Sequence, residues 1–384
     1  MKLIFDRQTL LEGITPAMTA VSGKNTIPSL EGILFEAQEG NKEVKISSYD
    51  MKKGVVSSVC AERTVRGGKY IIPAQRLMQI LRLMPNGFVT IEVESGEKTT
   101  ISSTSGHFSL KSFKGEEFPI LPDMPVEGSD RFLKIESSLL KRAIGKVLHS
   151  IAENDAKAFL CGAYFRIDKG GIELVSCNNF MLSRCNERCE IENTGLEGDD
   201  YFSFIVPGHA LQELIKILSD DKEKVTVGIT GKHALFQYKS IMFFTRLIEE
   251  SYMDYRRIIP TGLPIDIKVD RDLFMEGIER VNLIAEEKDE GNKSYLKISV
   301  EGSLMQLSAT SSSGNAFEEI ACDHAGEDLQ IGFNGKFLYS CVRVIESKEI
   351  RIMMKSATQS ITIEPTENKE GEELFYLVLP RRMS

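Results

Sequence analysis

The stretch Tyr70-Ile-Ile-Pro-Ala-Gln-Arg-Leu-Met-Gln-Ile-Leu decides how this 384-residue chain is organised, because it comes back twice. Phe204-Ile-Val-Pro-Gly-His-Ala-Leu-Gln-Glu-Leu-Ile is the second copy, and Ile331-Gly-Phe-Asn-Gly-Lys-Phe-Leu-Tyr-Ser-Cys-Val is the third. Each copy opens as a short apolar strand and then switches to the three-and-four spacing of a helix face. Pro73 and Pro207 stand at the switch in the first two copies, where a missing N–H costs a helix nothing. Asn334 takes that place in the third and can cap the helix with its side chain.

Upstream of these copies lie three related openings. Lys2-Leu-Ile-Phe-Asp, Arg131-Phe-Leu-Lys-Ile-Glu and Pro264-Ile-Asp-Ile-Lys-Val-Asp all alternate apolar and polar residues as half-buried strands do. Helical stretches follow at Leu10–Val21, Leu139–Ile151 and Leu273–Ile284. Downstream of each copy come short alternating strands. They are Phe88–Glu94, Thr99–Ser103 and His107–Ser112 in the first repeat, then Val225–Thr230, Leu235–Tyr238 and Ile241–Leu247 in the second. The third has Ile350–Met354, Ser360–Glu364 and Leu374–Leu379. A period of about 130 residues is far longer than that of a solenoid, so each repeat is a domain in itself.

The predicted fold is therefore α+β, with three tandem domains at 1–128, 129–262 and 263–384 and linkers near Met124–Ser129 and Pro260–Pro264. Each domain holds two halves of strand, helix and three strands. Two such halves can pair sheets on one side and helices on the other, and three domains in series then form an arc. The sheet edges at its ends need pairing or cover, which a closed head-to-tail ring of identical chains supplies.

Composition narrows the function classes. The 42% hydrophobic and 27% charged content is that of a globular protein. Met1–Leu11 lacks the apolar run of a signal peptide, and no stretch approaches the roughly 18 apolar residues of a membrane span, so a cytoplasmic location is expected. Seven cysteines cannot all pair within the chain. Cys177, Cys185 and Cys189 lack the CxxC spacing or nearby histidine of a zinc site, so reduced thiols and no metal are expected. A net charge of −9 argues against coating nucleic acid by bulk electrostatics, although one face can still be basic.

Catalytic motifs are not found. Gly96-Glu-Lys-Thr-Thr lacks the upstream half of a phosphate loop and sits between strands, as a hairpin turn does. HExxH, GxSxG and EF-hand spacings do not occur. Asp199-Asp200 and Asp220-Asp221 could imitate two-metal ligands but fall in polar turns, and Glu286-Glu287 reads as solvated loop. No cofactor is implied, and a non-catalytic role is expected.

The order and spacing of several further motifs carry a family resemblance. Thr26-Ile-Pro-Ser-Leu-Glu-Gly-Ile-Leu, Asp254-Tyr-Arg-Arg-Ile-Ile-Pro, Ile331-Gly-Phe-Asn and Tyr376-Leu-Val-Leu-Pro-Arg-Arg-Met together make the chain resemble the bacterial DNA polymerase III beta subunit, the beta sliding clamp, from Met1 to Met383. The resemblance implies a homodimeric ring, helices inside and sheets outside, around double-stranded DNA. It also implies a clamp loader that opens the ring, and a pocket between domains two and three that takes short peptides from the replicative polymerase and other partners. A diverged scaffold that binds peptides without encircling DNA is the alternative, and a metal-dependent nuclease built on repeated domains is a more distant one.

Carried over position by position, the resemblance implies DNA contacts at Lys24, Arg76, Arg82, Lys141, Arg142 and Lys146, with Arg7 a further candidate. Asn154, Lys157, Lys216, Lys336 and Arg343 extend that set. Pocket walls are implied at Leu160, Cys177, Leu182, Met253, Ile258 and Leu379. Asn179, Arg257, Ser360 and Arg381 would supply polar contacts, and Val378, Pro380 and Met383 would complete the groove. Where the family commonly has Gly or Ser, His and Arg before the pocket leucine, this chain has Asn179-Phe180-Met181, which exchanges donors for soft apolar surface. Ring closure would bring Phe108 and Leu110 against Leu283 and Ile284, rimmed by Arg76 with Glu318 or Glu319.

Overall fold

A computed structural model of the chain describes residues 1–23, 27–94, 98–122, 131–192, 200–285 and 295–383. Lys24, Thr26, Gly96-Glu97, the Met124–Ser129 linker, Asp199 and Glu286-Glu287 lie outside the described residues. Packing gathers the chain into two compact units. One comprises Met1–Lys141, Glu192–Gly195 and His209–Leu247; the other comprises Arg142–Ile191, Leu196–Gly208 and Ile248–Ser384. The middle third of the chain thus contributes strands to both.

The reason is visible in the sheets. In the first unit a nine-stranded sheet continues from the first third of the chain into the middle third, where Lys53–Cys60 pairs antiparallel with Ile241–Arg246. At that seam Gly54 faces Phe244, and a Cβ on Gly54 would stand 2.2 Å from the ring, so only glycine fits. In the second unit a twelve-stranded sheet crosses the corresponding seam, with Met181–Arg188 paired to Glu372–Val378 over seven consecutive positions. A smaller five-stranded sheet completes the first unit.

Six helices pack against the sheets among the described residues. These are α1 (Arg7–Ile14), α2 (Ala74–Leu83), α3 (Ser137–Val147), α4 (Gly208–Ile217), α5 (Arg271–Ala285) and α6 (Gly335–Arg343). Asp6 caps α1 by accepting from the Thr9 amide at 3.0 Å, and Asn334 caps α6 by accepting from the Lys336 amide at 3.1 Å, as its place in the third copy predicts. The single helix expected over Leu10–Val21 is broken instead: Pro16 ends α1, and Pro16–Ala20 continues as a 3₁₀ turn. Likewise α3 stops at Val147 and gives way to a 3₁₀ turn at Leu148–Ser150. Pairs α1/α2 and α5/α6 pack together. Gly335 allows the second approach, since a Cβ there would lie 1.8 Å from the Asn282 amide oxygen.

Each seam sheet is covered on both faces. In the first unit Leu34, Tyr49, Ile71, Phe118, Leu235 and Phe244 form a second, outer core. This explains why seam strands carry apolar residues at consecutive positions instead of alternating. Among the sheet edges of the described residues two matter for assembly: His107–Lys111 ends the five-stranded sheet, and Gly314–Ala321 pairs on one side only.

Candidate functional site

The outer face of the second seam carries the apolar floor of a groove. Strand alternation puts Val175 and Cys177 of one strand, Leu182 of the next, and Phe375 and Leu377 of the third on a single face. These residues, with Leu160 and Tyr255, form one buried cluster, and Tyr252, Met253 and Ile259 pack against it from the segment that follows residue 247. The structure therefore brings together Leu160, Cys177, Leu182 and Met253 from the predicted walls. Val378 requires correction. It pairs with Met181, whose sulfur accepts from Ser340 of α6 at 3.8 Å, so both point to the helix side. Leu377 occupies the groove face in its place, because a one-residue step along a strand reverses the side.

At the groove mouth the hairpin turn is built from asparagines. The Asn178 side-chain oxygen accepts from the amides of Phe180 and Met181 at 3.2 and 3.0 Å, and Asn179 adopts a left-handed backbone with φ of 69°. The Asn179 amide donates to Asp155 at 2.8 Å. Phe180 is exposed, stacks on Phe337 at 5.6 Å, and its carbonyl accepts from the Leu379 amide at 2.9 Å. Ile258, Leu379 and Met383 also expose apolar surface. Arg381 anchors the C-terminal segment through its amide to the Gly332 carbonyl at 2.7 Å. Arg257 is exposed and pairs with Asp254 at 2.8 Å, while Ser360 and Pro380 are half-buried.

Beneath the sheet, on the α3 side, lies a buried polar layer. Arg142 donates from Nε and Nη2 to the two oxygens of Glu187, each at 3.0 Å, with Glu372 3.5 Å away. Cys185, Glu187 and Glu372 place their donor atoms within 4.8 Å of one another, but the cation that serves the two carboxylates is this guanidinium. Burial pushes the Cys185 thiol and the Glu372 carboxyl up. Lys146 is only 4% exposed, and its ammonium donates to the Val344 carbonyl and to Glu346 at 2.8 Å. Burial works against charge at Glu346, yet Lys146 and Lys369 hold its carboxyl down at about 2. Lys146→Ala should cost about 1–2 kcal/mol in urea unfolding, since Glu346 is half-exposed and keeps Lys369. An unchanged midpoint would contradict this.

His149 belongs to the same layer, with Nε2 3.1 Å from the Ser183 hydroxyl and its ring 5.5 Å from Tyr376. Burial, with help from Arg343, lowers its pKa to about 4. The unfolded chain therefore takes up a proton near pH 6.5 that the folded chain refuses until about pH 4. Stability should fall progressively as pH drops through this window, by about 3 kcal/mol in all. His149→Gln should remove this part of the pH dependence in denaturation curves measured from pH 7 to 4.

The open edge His107–Lys111 borders an apolar depression of about 550 Å³. Arg76, Ile80, Leu83 and Met84 of α2 and its end line it, together with Phe108 and Leu110. Leu83 is 88% exposed and was not singled out by sequence; a leucine at a helix end reads as ordinary amphipathic pattern. In the second unit Leu283 is exposed, as are Leu273 and Phe317. Glu318 is paired with Arg280 at 2.7 Å and Glu319 with Gln306 at 3.2 Å, both within the chain.

Comparison with known proteins accounts for nearly every residue. The family model for the DNA polymerase III beta subunit N-terminal domain matches residues 1–122, the central-domain model 134–254 and the C-terminal-domain model 256–382. The chain belongs to the DNA polymerase III beta subunit family. Among relatives of this beta subunit is the beta sliding clamp of Bacillus subtilis, 27% identical with both chains fully covered. A beta subunit structure from Eubacterium rectale superposes over both full lengths with a TM-score of 0.87 at 27% identity. A Bacillus subtilis sliding clamp structure does so with 0.87 at 25%. The three tandem domains of the beta-subunit fold are thus present, and among the described residues no helix is long and apolar enough to cross a membrane.

The basic residues expected to meet DNA in this beta subunit differ in availability. Arg76, Arg82, Asn154, Lys157, Lys216, Lys336 and Arg343 are exposed, with Lys216 beside Glu213 at 2.8 Å. Lys141 is partly covered and pairs with Asp220 at 2.8 Å. Three candidates are corrected. Lys146 is buried, Arg142 is held by Glu187, and Arg7 donates to the Leu81 carbonyl at 3.0 Å and to Asn86. Lys24 lies outside the described residues.

Proposed function

We propose that this chain is a DNA sliding clamp, a homodimeric ring of six domains that encircles duplex DNA and tethers the replicative polymerase. The observation that carries the reading is the succession of three beta-subunit domains across the chain, with an open apolar edge in the first and another in the last. Domain boundaries near 128 and 262 fit the repeat pattern. The edge His107–Lys111 of one chain would pair with Gly314–Ala321 of the other, and the α2 depression would receive side chains such as Phe317 and Leu283. The helices would face DNA and present Arg76, Arg82, Lys216, Lys336 and Arg343. The groove over Cys177, Leu182 and Leu377 would hold extended partner peptides, including those of the clamp loader. The chain itself would be non-catalytic and act in the cytoplasm.

Topology gives the test. The labelled protein is loaded on nicked circular DNA with a compatible loader and ATP, then washed in high salt to screen charge contacts. An encircling ring stays on the circle and is lost once the DNA is linearised. Release by salt from circles and linear DNA alike would leave the non-encircling peptide scaffold as the answer.

A further inference from the structure

We propose that four arginines at the far end of the groove's sheet face form a cup for an acidic segment of the partner polypeptide that fills the groove. The partner's identity rests on the groove reading above; the cup itself rests on geometry. Glu173 lies four residues before Cys177 on the same strand and the same face, about 13 Å away. Arg166 faces Glu173 across one neighbouring strand, and Asn186 faces it across the other. Arg184 and Arg188 flank Asn186 on that face, so the ribbon is apolar at Leu182 and cationic at Arg188. Arg256 arrives from the 3₁₀ turn Tyr255–Ile258, whose first residue lies in the groove's buried cluster. Tyr255 joins the two ends: its ring packs in the groove's buried cluster, and its hydroxyl donates to Glu173 at 2.6 Å.

The cup has a volume of about 230 Å³ and is incompletely neutralised. Arg184 donates to the buried Glu173 at 2.6 Å, Arg256 to the same carboxylate at 3.4 Å, and Arg188 to Glu373 at 2.7 Å. Arg166 lies over the Tyr201 ring at 4.4 Å, with Asp168 and Glu173 oxygens 3.8 and 3.9 Å away, too far for hydrogen bonds. Four guanidiniums therefore face three carboxylates, and each guanidinium has five N–H donors. The side chains of Arg188 and Arg256 are 72% and 59% exposed, so their remaining donors are open to a ligand. In a chain of net charge −9 such a cup is a local exception that favours carboxylates. An extended peptide crosses from groove to cup in about four residues.

The test uses fluorescein-labelled extended peptides whose leucine and phenylalanine side chains suit the apolar groove, lengthened by four glutamates or four serines. Fluorescence anisotropy at low salt should show the glutamate form binding the full-length protein about fivefold tighter, an advantage lost in 0.5 M NaCl. Arg188→Ser with Arg256→Ser should equalise the two peptides and leave the serine form unchanged. Equal affinities on the unsubstituted protein would overturn the proposal. If neither peptide binds, the groove reading fails, and hexaglutamate alone decides the cup. Binding that the double substitution abolishes supports it, and no binding overturns it. Hexathymidylate bound at these arginines in preference to hexaglutamate would also overturn it, in favour of a nucleic-acid phosphate site.

Discussion

Leu83→Asp combined with Phe108→Asp should leave a folded chain that no longer dimerises. Both side chains are already exposed in the single chain, so their loss removes little from its own core and should leave thermal unfolding almost unchanged. In a head-to-tail dimer the same pair is used at both closures. Burying a large apolar side chain is worth about 1.5–3 kcal/mol, and a carboxylate in its place adds a desolvation cost. Even about 3 kcal/mol per closure would raise the dimer dissociation constant by roughly four orders of magnitude. Sedimentation velocity should therefore report the 43.0 kDa chain alone, and loader-dependent retention on circular DNA should vanish. A dimer that survives both substitutions would move the ring-closing face elsewhere.

The second large effect concerns the groove. Ile258→Glu with Leu379→Glu should abolish stimulation of the polymerase on a long primed template, by 100-fold or so, while the dimer and its retention on DNA persist. About 3 kcal/mol of lost apolar contact and added desolvation accounts for that size. Ile258 and Leu379 are 46% and 42% exposed, so the change acts on the partner rather than on the core. Removing Pro380–Ser384 should have the same result. Leu182→Ala is a poorer probe, because Leu182 is fully buried and its truncation should cost about 2–5 kcal/mol of stability. Full stimulation by the Ile258/Leu379 variant would exclude this groove as the polymerase contact.

The groove also shows where sequence reasoning succeeds and where it stops. Strands such as Phe88–Glu94 were legible to the residue because one side is wet and the alternation is clean. Leu374–Leu379 is apolar at every position, since both faces of the seam sheet are covered, so alternation offers no phase and Val378 was placed on the wrong side. Lys146 reads from the sequence as a helix lysine free to meet DNA. Its partner Glu346 lies 200 residues away, and no local pattern could announce the pair. Tyr252 and Tyr255 were missed for a similar reason: they cover the groove floor from a segment with no regular strand or long helix. The caps at Asp6 and Asn334, by contrast, are local chemistry and were readable.

The seams at Lys53–Cys60 with Ile241–Arg246, and at Met181–Arg188 with Glu372–Val378, separate what is inherited from what folds. The repeated module is a third of the chain, but each continuous sheet is completed only by a neighbouring module. A gene fragment cut cleanly at the repeat boundaries would leave raw strand edges, two of them in the middle third, with apolar residues such as Phe244 and Leu182 stripped of cover. Such fragments should be recovered as aggregates, however faithful their ends are to the duplication. Shuffling of these modules between relatives is accordingly constrained at the joints: what must be kept together is a pair of strands from two different copies.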